Sequence, residues 1–458
     1  MVQDKKKNSK EQLILHGSLY KAILTLAIPI MLNNFIGSLY NLGDAFWVSK
    51  LGDIQVAAIN FVWPVSFLAF SIAMGISIAG GSIVSQYIGA QKPEDARITA
   101  QQLYIFGILF GVFSSIVGWL LTPSILHLMN ASDELFFYSV SYLRILFIEM
   151  PFLFIMNIFF SLNQAQGDTV TPTLINGSSA LLNIVLDPLF IFTFGLGIEG
   201  AAIATVISKI PFALYGIYRL GIRSNKLHIK PWSFVIDKDK MKDLIRIGIP
   251  SSIGNSGVSL GFIVLFSVIA TYGDYAVTAV GIGNRLNSLA FMPAIGIGAA
   301  LSTVTGQNLG ANNISRIKDA FKSSIIMSLI ILTFTCTILA VFSYELVGIF
   351  TQTEEVLEMG SFYLKVLAST TWSISFFNCS IGLFNGSGHT KYSMYLEAGR
   401  LWAVRLPLIY ILALIPSIGT NNIWYAIGIS NIIAGAIAFS LTFTGTWKRA
   451  KLKSISTS

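Results

Sequence analysis

Four carboxylates lie inside long apolar runs: Asp44, Glu149, Asp187 and Glu397. A charge in hydrocarbon costs on the order of several kcal/mol unless it meets a wet cavity, a cation or a donor, so each needs a reason. Asp187 closes the stretch Asn183-Ile-Val-Leu-Asp187-Pro188, and the four-residue spacing puts Asn183 on the same helical face. Pro188 removes a backbone donor and frees a carbonyl to accept. Carboxylate, amide oxygen and loosened carbonyls together suit a hard cation or a proton. Asp44 stands near Trp47, where a helix would reach the outer interface. Thr205 falls at a similar depth, about two turns into its run, so Asp44, Asp187 and Thr205 are predicted to converge on one outward-open cavity. Glu149 is read as paired with Arg144, five residues earlier, and Glu397 with Arg400 at i,i+3. Lys209 is read as reaching inward to the membrane surface. Arg285 is expected to line a cavity in the second half of the chain, and Arg405 has no assigned role.

The elements that hold these groups follow from composition. Only 11% of the 458 residues are charged, against 54% apolar, with 33 Phe. Ordinary soluble chains carry about 25% charge. A soluble enzyme, a disordered chain and a disulfide scaffold are all excluded. A bilayer core of about 30 Å needs roughly 20 apolar residues per helix. Twelve such runs are predicted, at about 20–44, 55–84, 99–122, 137–163, 172–193, 198–219, 245–269, 278–304, 322–343, 361–384, 396–416 and 424–446. Their continuity, without period-two alternation, makes them helices rather than barrel strands. Starting inside, 22 of the 30 Lys and Arg fall in inner loops and tails, and only Lys50 lies in an outer loop. Both termini are therefore expected in the cytoplasm, with the chain in the cytoplasmic (inner) membrane. The bases do not form a groove-reading surface, so no nucleic-acid partner is expected. The glutamates Glu345, Glu354, Glu355 and Glu358 read as a solvated outer face. The basic, polar start of the chain does not read as a signal peptide. Cys336 and Cys379 read as buried apolar fillers.

The chain also repeats itself at an offset of 221 residues: Pro29 matches Pro250, Gly52-Asp53 matches Gly273-Asp274, Gln86 matches Gln307, and Gly167 with Thr169 matches Gly388 with Thr390. The fold class is thus an all-α polytopic membrane protein built as two parallel six-helix repeats. The predicted domains are 1–218 for the first lobe, 219–244 for a cytoplasmic linker and 245–458 for the second lobe with its basic tail. At this offset Asp44 faces Leu265 and Asp187 faces Leu408, so the acidic pair belongs to the first half alone. A requirement of the fold would have survived in both copies. No phosphate-cradling loop, H-E-x-x-H or G-x-S-x-G is present, and His16, His127, His228 and His389 do not cluster. Energy must then come from an ion gradient.

The residues resemble the multidrug and toxic compound extrusion (MATE) family, and most closely its MepA-like bacterial members. The resemblance spans essentially the whole chain. It rests on Pro29, Tyr40-Asn-Leu-Gly-Asp44-Ala-Phe-Trp47, Gln86-Tyr-Ile-Gly-Ala90, Gln166-Gly-Asp-Thr169, Asn183-x3-Asp187-Pro188, Gly197-x-x-Gly200-Ala-Ala-x-Ala-Thr205 and the echo Gly306-Gln-Asn-Leu-Gly-Ala311. It implies a V-shaped, two-lobe antiporter that exchanges cationic amphipathic drugs for H⁺ or Na⁺. It further implies that Asp44, Asn183, Asp187 and Thr205 form the ion-coupling cluster, with Na⁺ as a possible metal there. Tyr40 and Asn157 would line the same cavity. No bound cofactor is expected, and the protein is expected to work as a monomer in the lipid bilayer. Two rivals remain. A flippase for a lipid-linked sugar would use cationic side chains, for which Arg285 and Arg405 are candidates. An intramembrane aspartyl protease would use Asp44 and Asp187 as a proton-sharing pair.

Overall fold

The computed structural model describes residues 10–223, 227–415 and 421–451. Lys5, Lys6, Lys7, Lys226 and Lys453, counted above toward the inner side, lie outside the described residues. The first half runs α1 (Leu19–Val48), α2 (Asp53–Gly89), α3 (Pro93–Leu128), α4 (Asp133–Ile148), α5 (Met150–Ala165), α6 (Val170–Pro188) and α7 (Gly197–Tyr218). The second half runs α8 (Lys238–Ala270), α9 (Asp274–Gly310), α10 (Ile314–Val341), α11 (Ser343–Gly348), α12 (Glu354–Gly386), α13 (Thr390–Gly399), α14 (Leu406–Ala413) and α15 (Asn422–Thr442). These are helices because an apolar run in hydrocarbon must satisfy every backbone N–H and C=O within itself.

Among the described residues, nine helices are long and apolar enough to cross a membrane, and ten if the bent pair α4–α5 counts as one span. That pair turns through 47° at Glu149, just before Pro151. The sequence predicted a single span there. Proline at the start of α5 lacks the N–H that would continue the ladder, so the helix breaks. Gly111 of α3 receives the break, since a Cβ there would stand 2.8 Å from the Pro151 Cα. The remaining two predicted spans correspond to the unbroken α12 and to the path α13–α14, interrupted by a π-helical turn at Arg400–Arg405. The helix ends respect the 221-residue offset: α2 and α9 each span 37 residues from Asp53 and Asp274.

The chain divides into two compact units, Leu32–Ser252 and Met1–Met31 with Ile253–Ser458. The division cuts α1 after Met31, close to Pro29, and α8 after Ser252, close to Pro250.

In the unit Leu32–Ser252, the core gathers Val48, Val62, Tyr142, Phe147, Met150, Ile191 and Ala201. The connection into α8 is pinned near the N-terminal end of α3. Gln101 donates to the carbonyls of Lys230 (3.0 Å) and Ser233 (2.9 Å), and Gln102 to that of Val235 (3.0 Å). Lys240 then donates to Asp95 at 2.6 Å and to the Tyr87 hydroxyl at 2.7 Å.

The other unit has its core around Leu265, Ile282, Tyr363, Leu364, Ile409 and Trp424. Here Arg316 of α10 donates to the carbonyls of Ile14 (2.9 Å) and Leu13 (3.2 Å), holding the segment that enters α1. Cys336 and Cys379 are buried in this unit, as predicted. Glu345, Glu354, Glu355 and Glu358 are exposed, also as predicted.

Candidate functional site: a buried carboxylate cluster

The cluster forms entirely within the unit Leu32–Ser252. The C-terminal part of α1 carries Tyr40 and Asp44, four residues apart and therefore on one face. α6 carries Asn183 and Asp187, and α7 carries Thr205 and Lys209, at the same spacing. The break between α4 and α5 presents Glu149. α1 lies close on α6: a Cβ on Gly43 would stand 3.0 Å from the Ile184 side chain, and Asn176 donates to the Asn33 side-chain oxygen at 2.9 Å.

Asn183 and Asp187 are wholly buried, and Thr205 is nearly so. Asn183 Nδ2 donates to Asp187 Oδ1 at 3.1 Å. The Tyr40 and Thr205 hydroxyls share a hydrogen bond of 3.1 Å. Three oxygens of the cluster are buried with no partner: Asp44 Oδ1, Asn183 Oδ1 and Asp187 Oδ2. An orphaned buried acceptor costs about 1–3 kcal/mol, and more when charged. A positive charge or a proton would satisfy all three, which come from the neighbouring helices α1 and α6. The donors are all oxygen, which fits a small hard cation such as Na⁺ carried as cargo. Among the described residues no group of three or more His, Cys, Asp or Glu side chains is arranged to hold a metal ion.

Two charged residues are placed differently from their sequence reading. Glu149 pairs with Lys209 of α7, not with Arg144. Arg144 instead lies over the Trp119 ring, 4.5 Å from its centroid. The five-residue spacing from Arg144 to Glu149 puts the two on different sides of the helix, and the break turns Glu149 toward α7. Lys209 therefore does not reach the inner surface, and its ammonium sits 5.8 Å from the Tyr40 ring centroid. Asp44 interacts electrostatically with both Lys209 and Glu149, and Asp187 with Asp44. Nothing in the residue spacing flags the Lys209–Glu149 pair, because its members are 60 residues apart. The Asn33–Asn176 bridge does have a signal in the sequence, namely amides inside apolar runs.

The other predicted residues stand apart from this network. Asn157 donates to the Leu153 carbonyl of its own helix at 2.9 Å. Arg285 is an exposed side chain of α9 in the other unit. Arg405, in that same unit, is buried and donates to Ser430 Oγ (3.0 Å) and Asn431 Oδ1 (2.8 Å). Arg400 lies 4.5 Å from the Phe377 ring centroid and interacts electrostatically with Glu397.

Comparison with known proteins gives a consistent picture. The family model described as MatE matches residues 29–189 and 250–411. The chain is 30% identical over 418 residues to a probable multidrug resistance protein, YoeA, of Bacillus subtilis, covering 89% of this chain and 90% of the relative. It is 26% identical over 404 residues to the multidrug export protein MepA of Staphylococcus aureus, covering 86% and 87% of the two chains. A solved outward-facing multidrug resistance MATE transporter of the MOP superfamily superposes with a TM-score of 0.90 at 27% identity, covering 96% of this chain and 98% of that one.

Proposed function

This chain belongs to the MatE family, whose members are membrane transporters and not enzymes, and from that premise we propose that it is a cation-coupled antiporter exporting cationic, amphipathic organic molecules by alternating access. The observation that carries the reading is the set of buried, unpartnered oxygens on Asp44, Asn183 and Asp187. Two neighbouring carboxylates in a low dielectric repel each other, and one bound proton or Na⁺ relieves the repulsion. A conformational change follows only if the ion binds the two states of the transporter unequally. α1 is the element that links the ion to such a change. Its outer part holds Tyr40 and Asp44, and Pro29 supplies a weak point at the inner end of that stretch. Ion entry and drug release would then be opposite strokes of one cycle. The supply of flat rings, with 33 Phe and 16 Tyr, suits loose binding of organic cations.

No bound cofactor enters this scheme, and H⁺ is the preferred driver, because a proton needs one carboxylate where Na⁺ needs several free oxygens. Thr205, one of those oxygens, already bonds Tyr40. The reading includes a monomer in the cytoplasmic membrane with both termini inside. Labelling with an impermeant reagent should reach residues 227–237 only from the cytoplasm and residues 353–358 only from outside. Flipping of a lipid-linked sugar is less well supported, since Arg405, one of the two cations it would use, is engaged by Ser430 and Asn431. The decisive test is efflux of a fluorescent organic cation from liposomes holding the purified protein, with a pH gradient or a Na⁺ gradient imposed separately. Efflux driven by either one supports the reading, and efflux driven by neither overturns it.

A further inference from the structure

The exchange described above uses Asp44 and Asp187 and gives no part to Lys209. Yet α7 places Lys209 one turn from Thr205, beside the Tyr40 ring and bonded to Glu149. Lys209 meets Tyr40 and Asp44 from α1 and Glu149 from the α4–α5 break, and behind them Tyr142 from α4 and Asp187 from α6 interact with Asp44. The site therefore holds three carboxylates and one ammonium. Of its two newly placed charges, Lys209 acts on Asp44 more strongly than Glu149 does. An ammonium on a side chain is a cation that cannot leave. A Na⁺ ion settling among Asp44 Oδ1, Asn183 Oδ1 and Asp187 Oδ2 would do so against its repulsion, at low dielectric.

We propose that Lys209 is a tethered counter-cation that disfavours Na⁺ at the Asp44–Asp187 site, with Glu149 as the positioning residue that holds it there. The inference rests on the antiporter reading and names the residue that sets the ion selectivity of that site. A merely structural pair would staple α5 to α7 and leave ion binding alone.

The test is Na⁺ binding to the purified protein, followed by the rise in melting temperature in NaCl against choline chloride at equal ionic strength, since a ligand of the native state stabilises it. The variants are Lys209→Met, Lys209→Arg and the double Lys209→Met/Glu149→Gln. Lys209→Met should reach its half-maximal Na⁺ effect at a concentration about tenfold lower than the wild type, and Lys209→Arg should match the wild type. The double variant should move in the same direction by a smaller factor, because the stronger of two opposed charges has gone. If Lys209→Met yields no folded protein, the double variant, which leaves no unpaired charge, decides alone. A wild-type Na⁺ response in both Met variants overturns the proposal, as does a gain in Lys209→Arg equal to that in Lys209→Met. Efflux by the same preparations separates the two readings. Wild-type protein that exports under neither gradient sinks the antiporter, whereas unchanged Na⁺ binding in variants of an exporting protein sinks only the role of Lys209.

Discussion

The stretch from Asp133 to Ala165 and its copy from Glu354 to Gly386 begin and end at the same offset, yet one is bent through 47° and the other is a single helix of 33 residues. The first carries Glu149 and Pro151, and the second carries Thr370 and Trp372 at the matching positions. Thr370 simply returns its hydroxyl to the Leu367 carbonyl at 3.0 Å. In the first copy the break exposes a carboxylate to α7, and the acidic cluster assembles around it. In the second, the matching positions of Asp44 and Asp187 are Leu265 and Leu408, both packed in the apolar core. Its buried cation, Arg405, is hydrogen-bonded to neutral side chains. Duplication supplied the scaffold twice, and among the described residues the buried, unpartnered carboxylate oxygens lie in one copy.

The largest effect that can break this comparison is at Asp187. Asp187→Asn keeps the shape and removes the charge, so export should fall to background while the amount of folded protein in the membrane is unchanged. Efflux close to the wild type would take Asp187 out of coupling. Next comes the second unit. Arg405→Met leaves the Asn431 oxygen without its donor, while Ser430 still bonds the Ile427 carbonyl, which should cost about 2 kcal/mol of stability in thermal unfolding. The ratio of proton-driven to Na⁺-driven export should stay as it was. A changed ratio would show that both copies take part in coupling.

A finer effect concerns the neutral oxygens. Thr205→Val and Asn183→Leu should alter proton-driven export by less than about twofold, because a proton needs one carboxylate. In a Lys209→Met background they should remove about tenfold of the Na⁺ affinity gained, the worth of one good ligand. Na⁺ titration of the double variants checks this, and an undiminished gain would place the Na⁺ elsewhere.

The smallest effect lies in the turns before α6 and α13, outside the spanning segments. Asp168, two residues before α6, accepts from the Thr171 hydroxyl at 2.7 Å. Its counterpart is His389, whose ring Nδ1 lies 3.1 Å from Ser387 Oγ. Burial, aided by the charge of Lys451, pushes His389 down from 6.5 to about 4. The fold thus favours the neutral ring. Its contribution to stability is complete above about pH 6.5 and drains away as the pH falls toward 4, because the unfolded chain takes up the proton first. Melting temperatures from pH 7.5 to 4.5 should fall less steeply for His389→Asn than for the wild type, and an equal slope would show that His389 does not titrate in this window.

The sequence alone determined the membrane class, the helical architecture, the repeat and the confinement of Asp44 and Asp187 to the first copy. These are one-dimensional signals. A run of apolar residues has a length, and a lone carboxylate within it stands out whatever its neighbours. Tyr40 was legible only through family resemblance, and its bond to Thr205 joins residues 165 apart. Only the tertiary structure decided that Glu149 answers Lys209 rather than Arg144, that three particular oxygens are left without partners, and that Gln101 and Gln102 fasten the connection into α8. Each residue along a helix turns its side chain by about 100°. Which neighbour a side chain meets is therefore set by the rotation and depth at which whole helices pack, and by a break such as the one at Glu149, none of which is written in the spacing of residues along a single helix.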